Sequence, residues 1–232
     1  MSNYSLPAPT VAADIVFHSD VERRLILDVV SGKKAFPASG KNGLLLWGDY
    51  GTGKTTLARM LPEEIERGAG GVETIYDYYR CHQNLTGPEL MKKLEARAQY
   101  MSGHHSGNHY FVLDEVDNFS VKAQASLKSA MGYPNTIFIL TTNFVARIDE
   151  GVKNRCISIN CNAAPANAYL PIAKKVLAGC GAPPIADNKL LPIIERCNGS
   201  VRSIADYMER LADMLRVKAS APVVTQPVAV PA

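Results

Sequence analysis

The chain has 232 residues, 47% hydrophobic and 20% charged, with a formal net charge of +3 at pH 7. That size suits one large domain or two unequal ones, and the composition is that of a globular protein, not a disordered or fibrous one. The mild positive balance permits nucleic-acid contact without arguing for it. No apolar run reaches bilayer-spanning length, so no membrane role is expected, and the first ten residues lack a secretory signal.

In chain order, residues 1–13 are polar and proline-bearing and read as an extended arm. Asp20 to Val30 carries apolar residues at helical spacing, with Asp20 read as its cap. A loop rich in Gly, Lys, Pro and Ser leads to Gly43-Leu-Leu-Leu-Trp47, an apolar run that predicts a buried parallel strand. Then come Gly48, Asp49, Tyr50, Gly51, Thr52, Gly53, Lys54 and Thr55, which fit G-x-x-x-x-G-K-[ST] at every fixed position. Thr56 and the residues to Leu61 predict the first turns of a helix. Strand, glycine loop and helix form the context in which successive backbone N–H groups and a helix N-terminus cradle phosphates. In such a loop Lys54 reaches the β- and γ-phosphates and the Thr55 hydroxyl ligates Mg²⁺.

After the Gly-rich break at 67–71, Val72 to Tyr79 predicts a second strand. Thr86-Gly-Pro-Glu89 fits a capping box for a helix from about Pro88 to Met101, which carries Lys92, Lys93 and Arg97. His104, His105 and His109 lie in a loop without a supporting carboxylate, and a solvated loop is favoured over a metal site. Five cysteines (Cys81, Cys156, Cys161, Cys180 and Cys197) form no C-x-x-C pair and read as packed, reduced thiols of a cytoplasmic protein.

Tyr110-Phe-Val-Leu113 is a buried strand that ends in Asp114 and Glu115. The C-terminal edge of a parallel sheet is where ligands sit. Beside a phosphate loop, Asp114 is expected to hold Mg²⁺ through its water shell, and Glu115 to activate water; the plainer alternative is an acidic turn. Val121 to Met131 predicts a helix. Ile137 to Thr141 predicts a strand tipped by Thr142 and Asn143, and Asn143 suits either a γ-phosphate contact or a turn. Asp149 to Asn154 reads as a helical turn and Ile157 to Asn160 as a last strand. From Pro165 the strand signals stop. Pro165–Ala178, Asn188–Cys197 and Ser200–Ala219 are helix-length segments, followed by an uncharged Pro/Ala/Val-rich tail, 220–232, read as disordered or a docking peptide.

The order of these parts resembles the AAA+ ATPases, and within them the small subunits of replication clamp loaders. The likeness rests on Gly48 to Thr56, Val112 to Asn118 running into Ala123–Leu127, Ile139 to Asn143, Ile148 to Cys156 and Asn198 to Ser203. It implies a P-loop parallel α/β sheet with helices on both faces (14–162) and a small all-helical lid (163–219). It also implies ATP and Mg²⁺ as ligands. Asn143 then matches the first γ-phosphate sensor and Arg155 the arginine that enters a neighbour's ATP site. Arg202 matches the second sensor on the lid, and Ile15, Val16 and Phe17 fall where the family lines the adenine pocket. From spacing alone Arg155 and Arg202 are equally read as surface ion pairs.

Two features depart from the pattern: no residues remain after the lid for a collar domain, and the second strand reads Thr74-Ile-Tyr-Asp-Tyr-Tyr-Arg80. The expected activity is Mg²⁺-dependent ATP hydrolysis in an oligomer of this chain or with related AAA+ subunits, gripping DNA, a sliding clamp or another replication protein. Lys122 and Lys128 are candidate phosphate contacts, although basic helix faces are more often solvated. A protein-remodelling ATPase and an ATP-gated assembly module remain the alternatives. The former wants an aromatic pore loop, and the Tyr76–Tyr79 cluster reads more readily as strand.

Overall fold

The structure, a computed structural model, describes residues 6–81 and 87–220. The predicted tail from 221 on, the first five residues and the Thr86 end of the capping box lie outside the described residues.

Five strands form one parallel sheet in the order β2-β3-β4-β1-β5: β1 (Gly43–Trp47), β2 (Tyr76–Arg80), β3 (His109–Asp114), β4 (Thr136–Thr142) and β5 (Cys156–Asn160). Alternation along the central strands divides the core. Leu44, Leu46, Tyr110, Val112, Ile137 and Ile139 face α1 (Asp20–Val30) and α2 (Lys54–Gly68). Leu45, Phe111, Leu113, Phe138 and Leu140 face α3 (Gly87–Ala98), α4 (Val121–Ala130) and α5 (Glu150–Asn154). Both faces are covered, which is why these strands read as unbroken apolar runs.

A separate apolar cluster is built from α6 (Leu170–Gly179), α7 (Asp187–Arg196) and α8 (Val201–Ser220), centred on Tyr169, Ala173, Leu190, Ile204 and Met208. Leu6 and Val16 pack against it, so the chain's beginning bridges to its helical end.

Three expectations shift. The second strand starts at Tyr76, not Val72, because Val72 and Ile75 are exposed and carry no inward face. Helix α1 is capped by Ser19, whose side chain accepts the Val21 N–H, and not by Asp20. The arm is not simply extended: Ala12–Asp14 is a 3-10 turn, Ala12 is fully buried, and its N–H donates to Glu64 on α2. The histidine loop is pinned. His104 donates from Nδ1 to the Asn108 carbonyl at 2.7 Å and accepts the Ile75 N–H at Nε2 at 3.0 Å. Buried Glu66 accepts from the Ser106 N–H (3.0 Å), the Ser106 hydroxyl (2.6 Å) and the Tyr110 hydroxyl (2.8 Å). All five cysteines are buried and free. Among the described residues no helix is long and apolar enough to cross a membrane.

Candidate functional site

The parallel sheet puts four strand ends on one edge. Taken across β1, β4, β3 and β2, they deliver the glycine loop, Thr141 to Asn143, Asp114 with Glu115, and Tyr78 with Arg80. These groups, the N-terminal segment and the helical lid line one cavity of about 870 Å³, the size range of small-ligand sites.

The glycine loop is bent by positive φ at Gly48, Gly51 and Gly53, conformations that side-chain-bearing residues resist. Gly51 is also fixed from outside. Its carbonyl accepts the Val201 N–H at 3.0 Å, and a Cβ there would collide with Ser200 Oγ. The first residue of α8 is thus docked on the loop, and Arg202 lines the cavity from the next position. Lys54 is buried and donates to the carbonyls of Gly48 (2.9 Å) and Asp49 (2.6 Å). Burial holds its pKa below the usual lysine value, with the Cys161, Asp49, Asp114 and Asp117 environment opposing.

Asp114 is 4% exposed and receives three hydroxyls: Thr55 (2.9 Å) and Thr141 (2.5 Å) on Oδ1, and Tyr78 (2.8 Å) on Oδ2. A hydroxyl and a carboxylate side by side are hard oxygen donors of the kind Mg²⁺ takes with substrate phosphates, so Thr55 and Asp114 fit that ion. Glu115 sits at the cavity with a left-handed backbone (φ 60°); its N–H donates to Thr141 Oγ1 at 2.9 Å, and its carboxylate pairs with Arg80 at 3.3 Å. Asn143 lines the cavity, and Asp117 braces it by accepting the Asn143 N–H (3.2 Å) and the Thr142 hydroxyl (2.7 Å).

Other expected residues separate. Ile15, Val16, Tyr50, Thr52 and Thr56 line the cavity, whereas Phe17 is buried in the α1–α2 core and Asp49 contributes backbone, its N–H donating to Asn162. Arg155 is not in the cavity. It precedes β5, and the register Gly43↔Cys156 and Trp47↔Asn160 puts it at the opposite sheet edge, roughly 20 Å from the glycine loop by strand rise. Its guanidinium donates to the Gly151 carbonyl at 2.9 Å.

Of the basic residues on α3 and α4, Lys128 pairs with Asp149 (3.9 Å) and Arg97 with Asp77 (3.5 Å), while Lys92, Lys93 and Lys122 are exposed. The Tyr76–Tyr79 cluster is half-buried strand, not an exposed loop. Sequence reading missed Tyr78, Arg80, Thr141, Ile172, Lys175 and the 6–10 segment at the cavity. The i, i+2 spacing of Tyr78 and Arg80 was a visible signal, but only the register with β3 aims it at the acids.

Residues 44–162 match the family described as "ATPase family associated with various cellular activities (AAA)". The chain is 28% identical over 192 residues to replication factor C small subunit 2 of Pyrobaculum islandicum, covering 78% of this chain and 57% of that protein. The same-named protein of Pyrobaculum aerophilum is 27% identical over 175 residues, covering 72% and 52%. The chain spans about half the length of the curated relatives it matches. Among solved structures, the RuvB Holliday junction branch migration motor of Thermotoga maritima superposes with a TM-score of 0.65 at 21% identity, over 91% of this chain and 67% of that one. That likeness speaks to the sheet-and-lid fold alone.

Proposed function

The chain belongs to the AAA family of ATPases, and from that premise we propose that it hydrolyses ATP with Mg²⁺ at sites shared between subunits. In this proposal it uses the cycle to grip and release DNA or a DNA-replication protein, in the manner of a clamp loader. The observation that carries this reading is the division of charge. Lys54, Asp114, Glu115, Asn143 and Arg202 meet at one cavity, while Arg155 lies at the far edge of the same sheet.

The glycine-loop N–H groups and the α2 N-terminus bind the phosphates. Lys54 turns from the Gly48 and Asp49 carbonyls to the β- and γ-phosphates. Thr55 and Asp114 would hold Mg²⁺, which would supply charge neutralisation to the phosphates. Glu115 accepts the proton of the attacking water, and Asn143 orients that water or the γ-phosphate. Arg202 reads the nucleotide from the lid. A neighbour's Arg155 adds positive charge where phosphoryl transfer spreads negative charge, so hydrolysis waits on assembly.

The DNA-directed part draws on the replication factor C relatives and on exposed Lys92, Lys93 and Lys122. The test is ATP turnover per subunit across a wide range of protein concentration, with and without primed DNA. The proposal expects a steep rise with concentration and a further rise with DNA. Turnover flat with concentration overturns the shared site. Turnover stimulated by unfolded polypeptide and not by DNA moves the partner to protein.

A further inference from the structure

The geometry points to Tyr78 as a positioning residue for the metal-holding carboxylate, an assignment that rests on the ATP–Mg²⁺ reading above. An ionised carboxylate offers about four acceptor directions. At Asp114 three are filled by hydroxyls: Thr55 and Thr141 on Oδ1, Tyr78 on Oδ2. One direction is left, on Oδ2, for a metal-bound water. Thr55 can ligate through its oxygen while its hydrogen stays on Asp114, so those contacts survive metal binding. Tyr78 therefore decides how the carboxylate is turned and how many lone pairs face the metal.

Its own place is fixed twice. The pairing Tyr78↔Val112 and Arg80↔Asp114 puts Tyr78 two residues below Asp114 on the neighbouring strand, on the α2 side of the sheet, and its long side chain climbs to the strand end. From the other side, the Arg59 guanidinium lies 4.0 Å from the centre of the Tyr78 ring, a cation–π contact. Arg59 is one helical turn beyond Thr55 on α2, so one face of one helix sets both contacts: Thr55 against Asp114 and Arg59 over Tyr78. Outer contacts of this kind orient metal ligands and, when removed, typically weaken metal affinity by about 10–100-fold.

The experiment titrates Mg²⁺ against the binding of a fluorescent ATP analogue, and Mn²⁺ by electron paramagnetic resonance, on the full chain with and without Tyr78→Phe. The expected result is a rise of about tenfold or more in the metal concentration at half-saturation. Analogue binding measured in chelator should stay unchanged, which a general loss of structure would not give. An unshifted metal midpoint in Tyr78→Phe overturns the assignment. Wild-type protein that binds the analogue without regard to metal overturns the ATP–Mg²⁺ reading itself, a different outcome. Should Tyr78→Phe fail to fold, Arg59→Gln keeps the hydroxyl and frees the ring, and a smaller shift in the same direction is expected. No shift there also overturns the assignment.

Discussion

Glu115 holds a left-handed backbone that residues with side chains adopt only where their surroundings enforce it. Here the Thr141 hydroxyl takes its N–H, and a 3-10 turn, Val116–Asn118, follows at once. The twist brings two adjacent acids to different tasks, Asp114 into the hydroxyl cluster and Glu115 to the cavity and Arg80. Glu115→Gln is expected to leave ATP binding and assembly intact and to slow turnover at least about 100-fold, the usual weight of a general base. Unchanged turnover would remove Glu115 from the chemistry. Arg80→Ala frees the carboxylate from its 3.3 Å partner, and basal turnover should hold or rise several-fold. A fall to the Glu115→Gln level would make Arg80 part of the reaction. Glu66 is a structural counterpart. Burial alone would raise its carboxyl, but Ser106 and Tyr110 donate to it and the net pKa lies below the usual value. Its stabilisation is therefore complete above pH 4.5 and is lost as pH falls through the lower, folded value. Glu66→Ala should cost about 2 kcal/mol at pH 7, since it strands buried donors. Denaturant unfolding should show that gap narrowing below pH 4.5, and a gap constant with pH would contradict the assigned cause.

The elements show what a sequence can and cannot carry. β1, β3 and β4 were legible because burial on both faces makes them apolar runs, and the glycine loop because phosphate binding constrains residue type at fixed spacing. β2 was misjudged at its start, since β-rich composition does not distinguish an exposed lead-in such as Val72–Ile75 from an edge strand. Tyr78 sat unread in an aromatic run because its role depends on register with β3, which local pattern does not encode. The 6–13 segment read as an arm for the same reason: its partners, Glu64 and the lid core, are far away in sequence. The junction of α8 with the glycine loop gives an element-level prediction. Gly51→Ala places a methyl against Ser200 at a φ of 79° and should push α8 from the loop. Protease cutting between β5 and α6 should quicken and nucleotide affinity should fall. Unaltered cutting and affinity would mean that the contact does not hold the lid.

Across the whole molecule, the sheet separates the two halves of the proposed catalytic arrangement. The C-terminal edge carries the groups to which the proposal gives phosphate and water, Lys54, Asp114, Glu115 and Asn143. The opposite edge presents Arg155, whose guanidinium donates to the Gly151 carbonyl. A head-to-tail assembly brings the second edge of one subunit to the first edge of the next, and such heterologous contacts make rings or spirals. The central claim is that Arg155 works in its neighbour's site. The most direct test mixes Lys54→Ala, which keeps Arg155 but loses its own phosphate site, with Arg155→Ala, which keeps the site but loses the arginine. Each variant alone should be nearly inactive. The account predicts that turnover returns on mixing, because Lys54→Ala subunits lend Arg155 to intact sites. No recovery on mixing, or full turnover by Arg155→Ala alone, would contradict it.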